Sequence, residues 1–318
     1  MAVNTHKIIE VTNVQNFNFK TQSGTSINSY KWTPTIAPKA IVQISHGMNE
    51  HISRYSEFAE FLAAKGYIVY GNDHLGHGDS LLEGQGLGYI SDRDGFVDMV
   101  EEMKILTNLV KEEHPDLKLF IFSHSMGSFL AQRYIQLYGD EIEGVILSGT
   151  NGEPPAVLNM GIFLSSIIMK LKGRSYKSKL IDSLSFGSYN KKIQPNRTEF
   201  DWLSRDEKQV DKYIEDPLCG NLFPVSFFHD LYIGMKEIHK KENLELIPKN
   251  LSIYIFAGTG DPVGNYGKGI LGLNNIYKRL GIEDVEYKLY EDGRHEMLNE
   301  LNKLEVMTDV LNWLETRI

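Results

Sequence analysis

The stretch LKLFIFSHSMGSFLAQRYIQLY, residues 117–138, decides how the chain folds. Its first part, 117–122, is a short apolar run typical of a buried strand, and 127–138 has the spacing of a helix. The FSHSMGS segment between them places Ser125 in a G-x-S-x-G-like pattern in which Ser123 replaces the first glycine. A serine on a sharp strand-to-helix turn projects its hydroxyl at the edge of a sheet. The stretch therefore predicts a nucleophile turn rather than an ordinary loop with a serine cap.

Strands and helices alternate on both sides of this turn. The segments 13–32 predict an N-terminal β-hairpin around the turn-forming residues 22–24. Further strands are predicted at 40–44, 67–70, 117–122, 142–147, 251–256 and 285–290. Helices are predicted at 55–65, 95–113, 127–138, 227–240, 267–280 and 300–317. This order is typical of an α/β fold with a mostly parallel sheet covered by helices on both faces.

The alternation stops after residue 150 and resumes near residue 228. We therefore expect one α/β core, formed by residues 1–150 and 228–318, with a helical cap inserted at 151–227.

Composition excludes several classes of partner. A formal charge of −9 argues against nucleic acid and gives no attraction to anionic lipid, so any transient contact with a membrane or micelle through the cap must be apolar. Cys219 is the only cysteine, which is consistent with a cytoplasmic protein. The start, MAVNTHKIIEVTN, lacks the pattern of a signal peptide, and the apolar segment 158–169 is too interrupted to span a bilayer. The sequence leaves the oligomeric state open.

A nucleophilic serine needs a histidine base, and the base needs an orienting acid, in the chain order Ser, Asp or Glu, His for this type of turn. Of the three histidines after Ser125, His229 and His239 fall in or near an amphipathic helix, whereas His295 lies in the loop after the last predicted strand. We predict His295 as the base. Asp261, in the glycine-rich loop after strand 251–256, is the predicted acid, and Asp292 is its rival.

The oxyanion of an acyl transfer needs two backbone N–H donors. Met126, directly after the serine, is one candidate, and Met48, in the SHGMNEH loop after strand 40–44, is the other. The segment DHLGHGDS, residues 73–80, could also suggest a metal site. No further ligand cluster with zinc spacing accompanies it, so we predict none.

Six segments together resemble the monoglyceride lipase and lysophospholipase branch of the α/β-hydrolases. They are HGMNEHISRY (46–55), DHLGHGDS (73–80), SHSMG (123–127), DPLCG (216–220), GTGDPVG (258–264) and GRHEML (293–298). The resemblance implies an α/β-hydrolase fold, no cofactor, and a serine hydrolase that cleaves carboxylic esters such as monoacylglycerols or lysophospholipids through an acyl-enzyme. It assigns the nucleophile to Ser125, the acid to Asp261, the base to His295 and the oxyanion donors to Met48 and Met126. Ser123 departs from the family's glycine.

The predicted cap offers candidates for an acyl pocket. Phe163 and Ile167 lie on an apolar stripe of a helix that also carries apolar residues on its other side. Phe223 and Phe227, followed by Phe228, stand where the chain returns to the core. We expect these side chains to bind substrate. The alternatives are a helix buried within the cap or in a dimer contact, and ordinary core packing for the phenylalanines.

Two other functions stay open. A peptidase of the same fold, releasing N-terminal residues such as proline, would need acidic groups in the cap to bind an ammonium group. Six acids are available there: Glu199, Asp201, Asp206, Glu207, Asp211 and Glu215. A non-catalytic binding protein would be expected to lack a member of the triad, and all three members are present.

Overall fold

The computed structural model describes residues 12–152 and 158–318. Two predicted parts lie outside the described residues: the start of the core, where no signal peptide was expected, and residues 153–157 of the cap.

The described strands are β1 Thr12–Lys20, β2 Ser26–Pro34, β3 Ala40–Ser45, β4 Tyr67–Asn72, β5 Leu119–His124, β6 Gly144–Ser148, β7 Ser252–Gly258 and β8 Val285–Tyr290. The α-helices are α1 Ser56–Ala63, α2 Gly95–Glu113, α3 Met126–Tyr138, α4 Leu158–Lys172, α5 Lys179–Phe186, α6 Glu207–Glu215, α7 Val225–Glu237, α8 Lys241–Leu244, α9 Lys268–Arg279 and α10 Lys303–Glu315.

The strands form one sheet in the order β1-β2-β4-β3-β5-β6-β7-β8. The hairpin β1–β2 and its contact with β4 are antiparallel, and all pairs from β4 through β8 are parallel. The α/β prediction is thus confirmed, and the predicted boundaries differ from the observed ones by a few residues. The carboxyl ends of the parallel strands lie at one edge, where the loops of an α/β sheet build a site.

The central strand β5 contributes side chains to both faces of the sheet. Phe120 and Phe122 belong to a buried cluster with residues of α1 and α10, whereas Leu119 and Ile121 belong to a larger cluster with residues of α2, α3, α7 and α9. Strand side chains alternate between faces, so an apolar strand without polar interruptions requires cover on both. Burying each aromatic side chain contributes roughly 1.5–3 kcal/mol, which fixes β5 in the middle of the molecule.

The segment between β6 and α7 contains the described helices α4, α5 and α6 and adds no strand to the sheet. The expected boundary at residue 228 falls inside α7, which packs against α4 and also against α2 and α3 of the core. No helix within 12–152 and 158–318 combines the length and the apolar character that crossing a bilayer would require.

The end of β7 approaches the loop after β8 so closely that only glycine fits. An added Cβ on Gly258 would lie 1.8 Å from the carbonyl oxygen of Gly293. We predict that Gly258→Ala lowers the free energy of unfolding by about 3 kcal/mol, because backbone must move to relieve the overlap. The measurement is the thermal unfolding midpoint by circular dichroism.

Gly272, on α9, is the matched control, since an added Cβ there meets nothing within 4 Å. Gly272→Ala is expected to stabilise the chain by about 0.5–1 kcal/mol, because alanine favours a helix over glycine. Equal midpoints for Gly258→Ala and the unmodified chain would contradict the prediction.

Candidate active site

Ser125 is the single residue between β5 and α3, and its φ is +51°. Residues other than glycine rarely adopt a positive φ, so contacts with neighbouring residues must hold the Ser125 backbone in this conformation. The Ser125 N–H donates to Ser148 O at 2.9 Å, and the Ser128 hydroxyl donates to Ser125 O at 2.6 Å. An added Cβ on Gly127 would lie 2.3 Å from Ser45 O, so glycine is required two residues after the serine. The turn is the one that the sequence predicted.

Ser123 occupies the position where the usual pattern has glycine. Its side chain is fully buried, and its hydroxyl donates a hydrogen bond to Ile146 O on the neighbouring strand β6 at 2.7 Å. The small side chain is therefore accommodated, and its polar atom is satisfied.

The structure brings Ser125, His295 and Asp261 into one hydrogen-bonded chain. The Ser125 hydroxyl lies 2.8 Å from His295 Nε2, and His295 Nδ1 lies 3.0 Å from Asp261 Oδ1. His295 and Asp261 come from the loops after β8 and β7, and both are buried. Asp261 Oδ1 also accepts from the Val263 N–H at 2.9 Å, which fixes the carboxylate. This is the arrangement of a nucleophile, a base and an orienting acid.

The other candidates for the acid and the base do not join this hydrogen-bonded chain in the described residues. The Asp292 N–H donates to Thr259 Oγ1 at 2.8 Å, and no hydrogen bond to His295 is found for its carboxylate in the described residues. His229 Nδ1 contacts Ser165 Oγ on α4 at 3.0 Å, and His239 is a half-buried side chain after α7.

The surroundings of His295 raise the pKa of its imidazole above that of a free histidine. Burial lowers the pKa of His295, but the charge and the hydrogen bond of Asp261 outweigh it, and the net effect raises the pKa. The ring of His124 packs at 4.6 Å between centroids against that of His295. Burial and the charge of His295 lower the pKa of His124 to about 4, so His124 stays neutral near pH 7.

Met48 and Met126 are the predicted oxyanion donors. Both line the same cavity as Ser125. An added Cβ on Gly47 would lie 3.2 Å from Ser125 Cβ, so the β3 loop passes directly beside the nucleophile. The Nδ1 of His46 bonds Gly47 O at 2.7 Å. Met126 is the first residue of α3, where a backbone N–H has no partner within the helix.

A buried ion network beneath the site was not anticipated from the sequence. Arg54 donates to both oxygens of Glu296 at 2.7 Å and also to Glu50, whose carboxylate accepts from the Gly47 N–H. Although burial raises the pKa of Glu296, the charge of Arg54 outweighs it and holds that pKa well below its usual range. Arg54 thereby connects the loop that carries His295 to the loop that carries Met48. A signal existed, since Glu50 and Glu296 stand within two residues of predicted site residues.

Two cavities meet at Ser125. One, of about 680 Å³, is mostly apolar, with walls that include Phe129, Leu158, Phe186, Phe228, Leu231 and Met235. The other, of about 640 Å³, is more polar, with walls that include Asn49, Asp182, Asn190, Asn196, Glu199 and Asn221. The arrangement can hold a molecule with an apolar and a polar end across the nucleophile.

The four predicted pocket residues do not line these cavities. Phe163 and Ile167 are 64% and 40% exposed, because they lie on the outward side of α4. Phe223 and Phe227 are fully buried against the ring of His77, at 5.1 and 5.7 Å between centroids, as ordinary core packing. The opposite side of α4, together with α5 and α7, forms the apolar wall, and Phe228 is the one residue of the phenylalanine run that reaches it.

Several side chains that could suggest a metal site form hydrogen bonds within the protein. In DHLGHGDS, His74 bonds Ser45 Oγ at 2.8 Å and Glu102, and Asp73 accepts from the Ile52 N–H at 2.9 Å. Elsewhere in the described ranges, the ligand atoms of His51, Asp216 and Cys219 lie within 4.8 Å of one another. His51 Nε2 already bonds Asp216 at 2.8 Å.

The raised pKa of His295 depends on Asp261, which gives a direct prediction. We expect the His295 imidazole to titrate above the usual value of about 6.5 in the intact protein and at lower pH in Asp261→Asn, where the stabilising charge is lost. The measurement is an NMR titration of ¹⁵N-labelled histidine. His51→Gln, which leaves the Asp261 pair intact, serves as the control, and an unshifted titration in Asp261→Asn would contradict the assignment.

Comparisons with known proteins agree with this geometry. The chain is 29% identical over 289 residues to the monoacylglycerol lipase of Mycolicibacterium smegmatis, covering 90% of this chain and 92% of the relative. It is 27% identical to the human monoglyceride lipase over 291 residues, 90% of this chain and 86% of that protein. A thermostable carboxyl esterase from Bacillus coagulans, solved in complex with glycerol, superposes with a TM-score of 0.89 at 28% identity, covering 96% of this chain and 98% of that one. The family model described as serine aminopeptidase, S33, matches residues 36–302, and the chain belongs to this family of α/β-hydrolases.

Proposed function

We propose that the chain is a serine hydrolase that cleaves the ester bond of monoacylglycerols through an acyl-enzyme. The observation that carries this proposal is the Ser125–His295–Asp261 chain at the junction of an apolar and a polar cavity. The names of the bacterial and human relatives, both lipases of this substrate class, support it.

In the first step, the Ser125 oxygen attacks the ester carbonyl carbon while His295 Nε2 accepts the hydroxyl proton. Asp261 accepts from Nδ1–H, which keeps Nε2 free to act as the base and stabilises the imidazolium. The N–H groups of Met48 and Met126 bind the oxyanion, and each such donor is typically worth roughly 3 kcal/mol. The glycerol oxygen then leaves with the proton from His295. Water, deprotonated by the same imidazole, hydrolyses the acyl-enzyme.

Each of the two cavities binds the end of the substrate that matches its polarity. The apolar cavity accommodates the acyl chain, and the polar cavity accommodates the glycerol hydroxyls. Asp182 and Glu199 line the polar cavity, and burial together with the charge of Glu199 raises the pKa of Asp182. Lys179 lines the same cavity, so the charged groups there are of both signs. The preference for monoacylglycerols over lysophospholipids rests on the names of the relatives.

An aminopeptidase function, which the family description includes, has weaker support. Of the six acids in the cap that could bind an ammonium group, Glu199 alone lines a described cavity with Ser125. Asp201 accepts from the Thr198 hydroxyl, Asp206 caps α6, and Asp211 pairs with Arg197. Asp182 adds a second carboxylate to that cavity, so the preference for an ester over a peptide rests on the names of the lipase relatives.

The nucleophile assignment is tested by Ser125→Ala. We expect hydrolysis of monoacylglycerols and of p-nitrophenyl esters to fall by about 10⁴-fold or more, since the attacking oxygen is gone. Labelling by a fluorophosphonate probe should vanish. The matched control is Ser56→Ala, which removes a hydroxyl at the start of α1.

The same assay, extended to lysophospholipids and proline β-naphthylamide, tests the substrate class. Monoacylglycerols are expected to have the highest kcat/KM. Faster turnover of the naphthylamide would establish the peptidase, and persistent labelling of Ser125→Ala would refute the nucleophile.

The outward side of α4 supports transient contact with a membrane or micelle surface. Phe163, Ile167 and Leu171 lie on one side of the helix and are all exposed, Leu171 at 75%. Exposed apolar residues in this number mark a contact surface. A cytoplasmic location remains a prediction that rests on the single cysteine.

Substitution of the exposed aromatic residue tests this contact. We expect Phe163→Ser to weaken co-sedimentation with phosphatidylcholine vesicles while hydrolysis of a short, water-soluble ester is unchanged, because Phe163 does not line the cavities. The control is Leu246→Ser, at a leucine after α8 that is 56% exposed, compared with 64% for Phe163. Equal sedimentation of both variants would contradict the proposed surface.

A further inference from the structure

Asn49 directly follows Met48 and has a φ of +63°. Its side chain is 9% exposed. The left-handed conformation is costly for residues other than glycine, and asparagine tolerates it better than most. Something must therefore hold the backbone in this conformation beside the predicted oxyanion donor.

The cap holds it. Asn49 Nδ2 donates to Asn221 O at 2.6 Å, and the Asn221 N–H donates to Asn49 Oδ1 at 2.9 Å. A third bond runs from the Gly220 N–H to Asn49 O at 3.3 Å. We refer to these three hydrogen bonds as the Asn49 clasp. Both polar ends of the amide and the backbone carbonyl are engaged by one short segment of the cap.

That segment is itself rigid. The Asn221 side chain donates to Pro217 O at 2.9 Å and to Cys219 O at 3.1 Å, which closes residues 217–221 into a compact loop. Asp216 Oδ1 accepts from the Leu218 N–H at 2.9 Å, and its Oδ2 bonds His51 Nε2 at 2.8 Å. The loop is therefore anchored to the β3 loop on both sides of Glu50.

Met48 lies between two residues that are fixed from different directions. Gly47 is held from the core, since its N–H donates to the buried carboxylate of Glu50 and its carbonyl bonds His46. Asn49 is held from the cap by the clasp. The peptide group that carries the Met48 N–H joins Gly47 to Met48, and the next peptide group joins Met48 to Asn49, so both attachments restrict its orientation.

We propose that Asn49 is a positioning residue, through which the cap segment 216–221 holds the Met48 N–H in the orientation that binds the oxyanion; this rests on the proposed function. The cap is then a part of the catalytic geometry as well as a wall of the substrate cavities. Loss of the clasp should weaken binding of the transition state more than binding of the ester, because the oxyanion exists only after attack.

Asn49→Gly is the decisive variant, since glycine adopts positive φ without strain and removes both side-chain bonds of the clasp. We expect kcat for a monoacylglycerol to fall about tenfold or more, toward the 10²–10³-fold typical of losing a whole oxyanion donor, with KM changed little. Affinity for a trifluoromethyl ketone that forms a tetrahedral adduct with the serine should fall in parallel. Affinity for a non-hydrolysable ether analogue of the substrate should not.

Two further variants distinguish positioning from a general loss of structure. Asn243→Ala deletes a similar amide-to-carbonyl bond, to Glu237 O at 2.7 Å, from α8, which lines neither cavity, and should leave kcat unchanged. Asn221→Ala removes the braces of the cap segment, and its effect on kcat should be less than additive with that of Asn49→Gly, since both act on one clasp.

The unmodified protein in the same assay distinguishes a failure of the proposed hydrolase function from a failure of the proposed role of Asn49. If it hydrolyses no ester and takes up no fluorophosphonate, the proposed function fails. If it is active and Asn49→Gly retains full kcat, or loses ether-analogue binding as strongly as ketone binding, the role of Asn49 is refuted.

Discussion

The left-handed backbone of Ser125 is the constraint on which the rest of the structure depends. One residue joins a buried strand to a helix, so neighbouring segments of backbone must approach the turn closely. Gly127 allows the β3 loop to pass, and an added Cβ on Gly149 would lie 2.9 Å from His295 Cε1. Gly258 allows the His295 loop to lie over the end of β7. The site is built from close backbone approaches at the carboxyl edge of the sheet, and the catalytic side chains project from that edge.

Charge buried beneath this edge joins loops that are distant in the chain. The Arg54 guanidinium contacts two carboxylates, Glu50 and Glu296, and each of these borders a loop of the site. Removing one member of a buried ionic group leaves an uncompensated charge and is costly, whereas the complete group gives little net stability. Its value here is geometric, because it sets the distance between the His295 loop and the Met48 loop.

The sequence was informative where a single local rule dictates the structure. Continuous apolar strands, helix spacing and the position of turns predicted the α/β sheet. Position in the loops after the last two predicted strands favoured Asp261 and His295 over their rivals before any distance was available. The sequence did not predict which residues line the substrate cavity, because this depends on which side of a helix faces inward. Phe163 and Leu158 are equally apolar, but the first lies outside and the second in the cavity, because helix rotation is set by tertiary packing.

The same limit explains the residues that the sequence did not reveal. Arg54 and Glu296 lie far apart in the chain, and no local pattern pairs them. The hydrogen bonds of Asn49 to Asn221 connect the core to the cap. For the cap, the spacing of apolar residues in the sequence predicted only helices. Pairings of this kind follow from the assembled fold.

The hydroxyl of Ser123 has a consequence beyond the turn itself. A glycine at that position would leave the unfolded chain with more conformations to lose on folding, an entropic difference of about 0.4–1 kcal/mol relative to a residue with a side chain. Serine restricts those conformations in advance, and in the folded protein its bond to Ile146 ties β5 to β6 directly before the nucleophile. The strand that presents Ser125 is thus stiffened both before folding and after it.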